Sequence, residues 1–264
     1  MMKTRIFTTI CILALIIPAL LLGGWFTYLL MASIFIFGGF EFLRLSEGYK
    51  QWPSIIPYIC VLSMCLIVWV PAQLHIALIG LLILFYLSIP IFTERFRVEN
   101  AFTCISYTIF FYVIAIAFLS IYHTNPLFIW FIIIATYFCD TGAYFSGMMF
   151  GKHKLIPKIS PKKTVEGAVG GWFIGFLASF LFGYFFLNKV YMTSSMSIVS
   201  IFIASLLLPI TGQIGDLAFS AIKRNYGIKD FSSLLPGHGG VLDRLDSLLF
   251  NIVCFYFILV GINL

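Results

Sequence analysis

Residues 73–92 read QLHIALIGLLILFYLSIPIF, a run of twenty residues that contains no Asp, Glu, Lys or Arg. A hydrocarbon core about 30 Å thick is crossed by about 20 apolar residues in an α-helix, so this run is long enough to span a membrane. Similar runs recur along the whole chain, in which 61% of the residues are hydrophobic and only 10% are charged. Ordinary soluble domains carry about 25% charged residues. The sequence therefore predicts an all-α, polytopic integral membrane protein.

The apolar runs, divided at polar residues and at Pro and Gly, predict about nine transmembrane helices. The predicted spans are residues 5–22, 25–43, 54–70, 73–92, 101–121, 126–149, 165–187, 197–220 and 247–263. If the N-terminus is cytoplasmic, 15 of the 16 Lys and Arg residues lie in cytoplasmic segments, and only Lys189 lies on the other side. Because short cytoplasmic connections collect Lys and Arg, we expect a cytoplasmic N-terminus and a C-terminus outside.

The acidic residues differ between the two halves of the chain. The N-terminal half has Glu41, Glu47, Glu94 and Glu99, which we place in two small loops as solvated charges. The C-terminal half has Asp140, Glu166, Asp216, Asp230, Asp243 and Asp246. An Asp inside a span costs about 2.5 to 3.5 kcal/mol on insertion, so it usually faces a cavity and marks function. We therefore predict a transmembrane scaffold at 1–125 and a catalytic transmembrane region at 126–264, with cytoplasmic loops 151–164 and 221–246.

The eighth predicted span contains a polar stretch from Pro209 to Asp216 that is expected to interrupt the helix. Such a stretch is tolerated at membrane depth only where it lines protein or water, so we expect Asp216 to face a cavity. At helical spacing, Asp216, Ser220 and Lys223 share one face directed toward the cytoplasm. The alternative is a snorkelling lysine together with an Asp that neutralises the helix.

The loop that follows ends in a glycine-rich turn, PGHGG at residues 236–240, with Asp243 and Asp246 at the start of the last helix. Gly239 and Gly240 permit positive φ, and backbone N–H groups that open a helix form an anion site, which suits a phosphate. Asp243 and Asp246 are three residues apart and would form a carboxylate pair for Mg²⁺. Alternatively, both acids complement the helix dipole.

A third polar patch, residues 151–164, contains five lysines and no acid, and it ends at Thr164, a predicted N-cap. This pattern is typical of an anion-binding site, although retention of positive charge in the cytoplasm explains the lysines equally well. Upstream, Asp140 shares a helical face with Thr136, Tyr144, Gly147 and Gly151, a stripe suited to close helix contact. Asp140 is either catalytic or a buried hydrogen-bond partner.

Several of these residues belong to a stretch that resembles a known family. Residues 220–247, SAIKRNYGIKDFSSLLPGHGGVLDRLDS, resemble the signature of the phosphatidate cytidylyltransferase (CDP-diacylglycerol synthase) family. The matching positions are Ser220, Lys223, Arg224, Lys229, Asp230, Pro236, His238, Gly239, Gly240, Asp243, Arg244 and Asp246. The region from Asp140 through residues 151–171 is also similar to the family.

The resemblance implies Mg²⁺-dependent transfer of a cytidylyl group from CTP to phosphatidate, with one or two cations and with pyrophosphate as the second product. We expect Asp216, Lys223, Asp243 and Asp246 to be catalytic, and Asp216, Asp243 and Asp246 to hold the metal. We expect the substrates to bind at Ser220, Arg224, Lys229, His238, Gly239, Gly240, Arg244, Lys162 and Lys163. Asp140, Glu166 and Asp230 are further candidate residues.

The expected location is the cytoplasmic face of the inner (plasma) membrane, because CTP is cytosolic whereas phosphatidate stays among the membrane lipids. The resemblance also implies a homodimer, and no nucleic acid is expected as a partner. Two other functions stay open at this stage. A CTP-dependent lipid kinase would move the γ-phosphate, and an anion or lipid transporter would catalyse no reaction.

Overall fold

The computed structural model describes residues 2–188 and 196–263. Within these ranges the chain forms nine α-helices, two short 3-10 turns and one small hairpin. The helices are α1 (Met2–Leu22), α2 (Trp25–Leu43), α3 (Ile55–Ile67), α4 (His75–Phe92), α5 (Val98–Thr124), α6 (Leu127–Phe150), α7 (Val165–Phe186), α8 (Ile198–Asn225) and α9 (Leu242–Asn263). The hairpin consists of β1 (Lys154–Ile156) and β2 (Ser160–Thr164). Lys189, which we predicted to lie outside the cytoplasm, falls outside the described residues.

Seven of the described helices, α2 and α4 to α9, are long and apolar enough to cross a membrane. Large apolar side chains on them are open in the protein alone; Ile76 and Phe92 are each 83% exposed. Lipid would cover such side chains in a bilayer. The polytopic helical class is therefore confirmed. The apolar parts of α1 and α3 are shorter than the other seven, and the count of nine spans and the orientation of the termini stay predictions.

Two helix ends differ from the predicted spans. Helix α8 continues five residues past 220, to Asn225, and α9 begins at Leu242 instead of residue 247. The predicted spans mark only the apolar part of each helix, whereas the helix itself extends through charged residues that suit its dipole, as expected for Lys223 and for Asp243. Lys223 and Arg224 lie in the last turn of α8, and Asp243 lies in the first turn of α9. Only the middle of the predicted loop 221–246 is non-helical.

The predicted loop 151–164 contains an antiparallel hairpin, so the fold is helical with one small β element. Lys154 pairs with Thr164 and Ile156 pairs with Ser160. The β-branched residues Ile156 and Thr164 favour extended backbone, and the prolines at 157 and 161 disfavour a helix. Thr164 then caps α7 as predicted, because its hydroxyl accepts a hydrogen bond from the Gly167 N–H at 3.1 Å.

The chain divides into two compact units. The first contains Met1–Ala115 and Asp230–Arg244, and the second contains Ile116–Lys229 and Leu245–Leu264. The glycine-rich turn thus belongs to the first unit, and the lysine-rich hairpin belongs to the second. These units are defined by packing alone, so the functional division at residue 125 stays a prediction.

Helices α6 and α7 pack against each other through glycines of α7. A Cβ atom on Gly171 would lie 2.6 Å from the carbonyl oxygen of Cys139, and one on Gly175 would lie 2.9 Å from that of Ala135. Small residues let the two backbones approach in this way. On the predicted α6 stripe, a Cβ on Gly147 would lie 3.1 Å from the Thr164 hydroxyl, as expected for close contact.

Candidate active site

The second unit contains a cavity of about 380 Å³ where α6, the hairpin and α8 meet. Its polar lining consists of Asp140 and Tyr144 from α6, Lys162, Lys163 and Thr164 from the hairpin, and Gln213 and Asp216 from α8. The cavity therefore collects the lysine patch, Asp140 and Asp216, which are distant in sequence. Asp140 is exposed rather than buried, and its role, catalytic or hydrogen-bonding, stays a prediction.

The charges of the cavity meet in an ion pair. Lys163 Nζ lies 2.5 Å from Asp216 Oδ2, and each side chain is 29% exposed. The other oxygen of Asp216, Oδ1, accepts a hydrogen bond from the Ser220 hydroxyl at 3.3 Å. Because Asp216 and Ser220 are one helical turn apart, this bond confirms the predicted shared face of α8.

Asp246 belongs to the same neighbourhood. It interacts electrostatically with Asp216, Lys223 and Asp140, and its Oδ1 accepts a hydrogen bond from the Ser247 N–H at 2.8 Å. Lys223 is only 8% exposed, so it packs inside the protein beside these acids. This burial contradicts the alternative of a snorkelling lysine. Three carboxylates and two lysines thus share one part of the second unit.

The polar stretch of α8 does not interrupt the helix, which is continuous from Ile198 to Asn225. The predicted break was wrong because the glycines serve packing. A Cβ on Gly215 would lie 2.8 Å from the carbonyl oxygen of Asp246, so α8 and α9 meet backbone to backbone. The polar side chains have partners in the protein, as predicted; Gln213 Nε2, for example, donates to the Ala168 carbonyl at 3.0 Å.

The glycine-rich turn, described within the first unit, is fixed by its own backbone. Leu235 N–H donates to the Gly239 carbonyl at 2.9 Å, and His238 N–H donates to the Leu235 carbonyl at 2.8 Å. Gly237 and Gly239 have φ of 79° and 84°, whereas Gly240, which would permit positive φ, does not adopt it. Only the two former glycines are required by backbone conformation.

The backbone N–H groups that follow this turn bind carboxylates of the protein. Asp243 Oδ2 accepts from Phe231 N–H at 2.8 Å and from Gly240 N–H at 2.9 Å, and Asp243 is 6% exposed. Val241 and Leu242 donate their N–H groups to Glu41, at 2.9 and 2.8 Å. The N–H groups of Gly240, Val241 and Leu242 are therefore hydrogen-bonded within the protein, and the predicted binding of a phosphate at this turn stays a prediction.

Glu41 corrects a second prediction. It is 3% exposed rather than a solvated loop charge, and besides the two N–H groups it accepts a hydrogen bond from the Ser232 hydroxyl at 2.6 Å. Its sequence position carried a signal, because residue 41 lies inside the predicted span 25–43. A carboxylate inside a span is rare and usually has a partner.

His238 projects from the turn toward α1. Its Nε2 lies 3.2 Å from the Thr9 hydroxyl, while its Nδ1 is buried and has no hydrogen-bond partner among the described residues. The neighbouring Thr8 hydroxyl donates to the Pro236 carbonyl at 3.0 Å. Helix α1 thus holds both the start and the centre of the turn.

The comparison with known proteins decides the family. Residues 3–261 match the Cytidylyltransferase family. The chain belongs to this family. A phosphatidate cytidylyltransferase of Staphylococcus saprophyticus is 32% identical over 257 residues, which cover 94% of this chain and 95% of the relative. Relatives with the same name from Staphylococcus aureus strain COL and Staphylococcus epidermidis are also 32% identical, with the same coverage.

The family match confirms the resemblance drawn from Asp140, residues 151–171 and residues 220–247. It also confirms the predicted enzyme class, a nucleotidyltransferase. The roles predicted for the individual side chains stay predictions.

The remaining predicted site residues occupy different settings. Arg224 Nη1 donates to the Ile228 carbonyl at 2.9 Å, and its Nε donates to the Ile159 carbonyl at 3.4 Å. Glu166 accepts from the backbone of Lys152 at 3.1 Å and pairs with Nδ1 of His153 at 2.6 Å, so it fixes the approach to the hairpin. The side chains of Lys162, Lys229, Asp230 and Arg244 are exposed.

The donor set of the second unit fits a magnesium ion. Mg²⁺ prefers oxygen ligands and is usually bound by one or two carboxylates together with substrate phosphates. Asp216 and Asp246 supply two such carboxylates, and the Ser220 hydroxyl adjoins Asp216. Across residues 2–188 and 196–263, no three His, Cys, Asp or Glu side chains form a metal-binding group. The predicted three-aspartate site that includes Asp243 thus stays a prediction.

Proposed function

We propose that this chain transfers the cytidylyl group of CTP to phosphatidate, which gives CDP-diacylglycerol and pyrophosphate. The named relatives, which match 94% of the chain, support this reaction. The structural observation that carries the proposal is the Lys163–Asp216 ion pair in the cavity of the second unit. It places a cation for phosphates beside a carboxylate for a metal.

The chemistry needs little from the protein beyond charge and position. An oxygen of the phosphatidate phosphate attacks the α-phosphorus of CTP, and the bond from that phosphorus to the bridging oxygen of pyrophosphate breaks. A phosphate monoester has a second pKa of about 6, so its dianion is a nucleophile at neutral pH without a strong general base. Catalysis then depends on alignment and on neutralising the anionic reactants.

The lysines of the second unit perform the neutralisation. Lys162 and Lys163 line the cavity and would bind phosphate oxygens, and the buried Lys223 would offset charge near Asp246. Asp216 and Asp246 would hold the Mg²⁺, which polarises a phosphoryl oxygen when it is bound. His238, Gly239, Gly240 and Arg244 keep their predicted role in substrate binding.

The proposed setting is the cytoplasmic face of the inner (plasma) membrane. The distribution of Lys and Arg along the sequence supports that orientation, since the topology predicted from it has the hairpin and the turn of residues 236–240 on the cytoplasmic side. Phosphatidate would enter from the surrounding lipids and CTP from the cytosol. A homodimer is proposed from the family resemblance alone.

A product assay tests the reaction. Purified protein in phosphatidate-containing nanodiscs receives Mg²⁺ and CTP radiolabelled at either the α or the γ phosphate. We expect the α label in lipid and the γ label in pyrophosphate, with both signals abolished by EDTA and restored by Mg²⁺. The γ label in lipid would establish a lipid kinase instead, and transport of label across liposomes without turnover would establish a transporter.

A further inference from the structure

We propose that Glu41 is a positioning residue for the proposed reaction, and that it sets the conformation of the turn at residues 236–240 and of the first turn of α9. This inference rests on the proposed function, because it assumes that the turn carries substrate-binding residues. Glu41 lies on α2, nearly two hundred positions before the turn in sequence. None of the catalytic or binding roles predicted from the sequence was assigned to it.

The Glu41 carboxylate accepts three hydrogen bonds from one segment of the chain. Oε1 accepts from the Ser232 hydroxyl at 2.6 Å and from Val241 N–H at 2.9 Å, while Oε2 accepts from Leu242 N–H at 2.8 Å. Both oxygens of a side chain that is 3% exposed therefore bind the segment 232–242. Hydrogen bonds to an ionised acceptor are about twice as strong as neutral ones, so the segment is held firmly.

The charge of Glu41 is compensated by backbone N–H groups. Among the side chains that the structure describes, those of residues 7–188 and 196–261, no Lys, Arg or His lies within ion-pair distance of Glu41. A buried carboxylate without compensation is costly. Here the N–H groups of Val241 and Leu242 supply that compensation, and Leu242 is the first residue of α9. The positive end of the helix dipole also stabilises the Glu41 carboxylate at the N-terminus of α9.

Glu41 also contacts the turn directly at Gly240. A Cβ atom on Gly240 would lie 2.6 Å from Cδ and from Oε2 of Glu41. Since φ of Gly240 is not positive, its need for glycine comes from this contact rather than from its backbone. The Glu41 carboxylate thus occupies the space that a side chain at Gly240, a predicted substrate-binding residue, would need.

Glu41 and Asp243 together hold the backbone on both sides of the turn. Asp243 binds the N–H groups of Phe231 and Gly240, and Glu41 binds those of the next two residues, Val241 and Leu242. Consecutive N–H groups are therefore fixed before any substrate arrives. Such preorganisation affects turnover strongly, because a displacement of about 1 Å at a site can cost about 100-fold in rate.

The test compares Glu41→Gln with two partner variants. The amide retains one acceptor oxygen but presents an N–H₂ group to a backbone N–H or to Ser232. We expect kcat to fall between about 10- and 100-fold with little change in the melting temperature. Amide hydrogen exchange should rise in residues 238–242. Ser232→Ala removes only one of the three bonds and should lower kcat by less than about threefold. Gly240→Ala, which pushes on the carboxylate, should reproduce the loss seen in Glu41→Gln.

The outcomes separate this inference from the proposed function. If the unaltered protein forms no CDP-lipid, the proposed function fails. If it is active and Glu41→Gln retains its kcat, KM and exchange rates, only the role of Glu41 is overturned. Should Glu41→Gln fail to fold, Gly240→Ala decides. A folded Gly240→Ala protein with reduced kcat and faster amide exchange at Val241 and Leu242, whose N–H groups bind Glu41, supports the inference, and one with unaltered kinetics or unaltered exchange refutes it.

Discussion

The ammonium group of Lys163 on β2 lies 2.5 Å from Oδ2 of Asp216 on α8. This pair joins the lysine-rich hairpin to the acidic face of a membrane-length helix. Without substrate, the two charges compensate each other inside the cavity. In the proposed reaction, phosphates would offer Lys163 another partner, and Asp216 would become available to a cation. Replacement of Asp216 is therefore expected to weaken Mg²⁺ binding, and replacement of Lys163 is expected to strengthen it.

Replacement of Asp216 should weaken the binding of the metal. We expect Asp216→Asn to lower CDP-lipid formation by about 100-fold or more, because the amide keeps the size but loses the charge that favours Mg²⁺. The measurement is incorporation of α-labelled CTP at several Mg²⁺ concentrations. Glu94→Gln, an exposed acid in another loop, is the control and should retain full activity. Near-normal rates in Asp216→Asn would refute the assignment.

Replacement of Lys163 should separate two effects. Lys163→Met should lower kcat/KM for CTP about 10- to 100-fold, because a cation that offsets phosphate charge is lost. It should also lower the Mg²⁺ concentration needed for half-maximal activity, since Lys163 no longer competes for Asp216. Lys158→Met, at an exposed lysine of the same hairpin, should change neither quantity. An unchanged Mg²⁺ requirement in Lys163→Met would show that Lys163 does not compete with Mg²⁺ for Asp216.

Asp243 and Asp246 can be distinguished by the same titration. Asp243→Asn and Asp246→Asn should each abolish Mg²⁺-dependent incorporation of CTP while the protein stays folded, if both aspartates are metal ligands. The structure gives Asp243 a second task, because its Oδ2 binds two backbone N–H groups. Substantial surviving activity in Asp243→Asn, with an unaltered Mg²⁺ requirement, would show that this residue only fixes the loop.

The glycines of α7 should matter for stability rather than for chemistry. Gly171→Ala places a methyl group 2.6 Å from a carbonyl oxygen of α6, and overpacking of this kind costs about 1 to 3 kcal/mol. We therefore expect a lower melting temperature in detergent. Gly80→Ala is the matched control, because nothing lies within 4 Å of its added methyl group. Alanine there should be neutral or stabilising, since it favours a helix over glycine.

The helices could be predicted from the sequence because a span needs only a local property, its run of apolar side chains. The family could also be recognised from local sequence motifs. The shared face of Asp216 and Ser220 was predictable because a helix fixes their spacing. The hairpin was missed because its short strands are rich in lysine and proline and contain no apolar alternation. The spans predicted from hydropathy stop short of the end of α8 and of the start of α9, because charged residues continue a helix that hydropathy no longer marks.

The role of Glu41 could not be predicted from spacing alone. Its partners, Ser232, Val241 and Leu242, follow it at a distance that only the tertiary fold closes. The same fold supplied carboxylates to the N–H groups that we had assigned to phosphate. A sequence shows which groups can bind an anion, but a chain can supply that anion itself.

The contact between Glu41 and Gly240 also constrains how this sequence can change over evolutionary time. A side chain at position 240 fits only if the carboxylate at position 41 withdraws, so neither residue can be exchanged freely while the other is retained. Homologous chains that carry a larger residue at 240 should carry a shorter one at 41. The two positions should therefore be inherited as a pair, and an engineered graft of the turn into another scaffold must bring its glutamate with it.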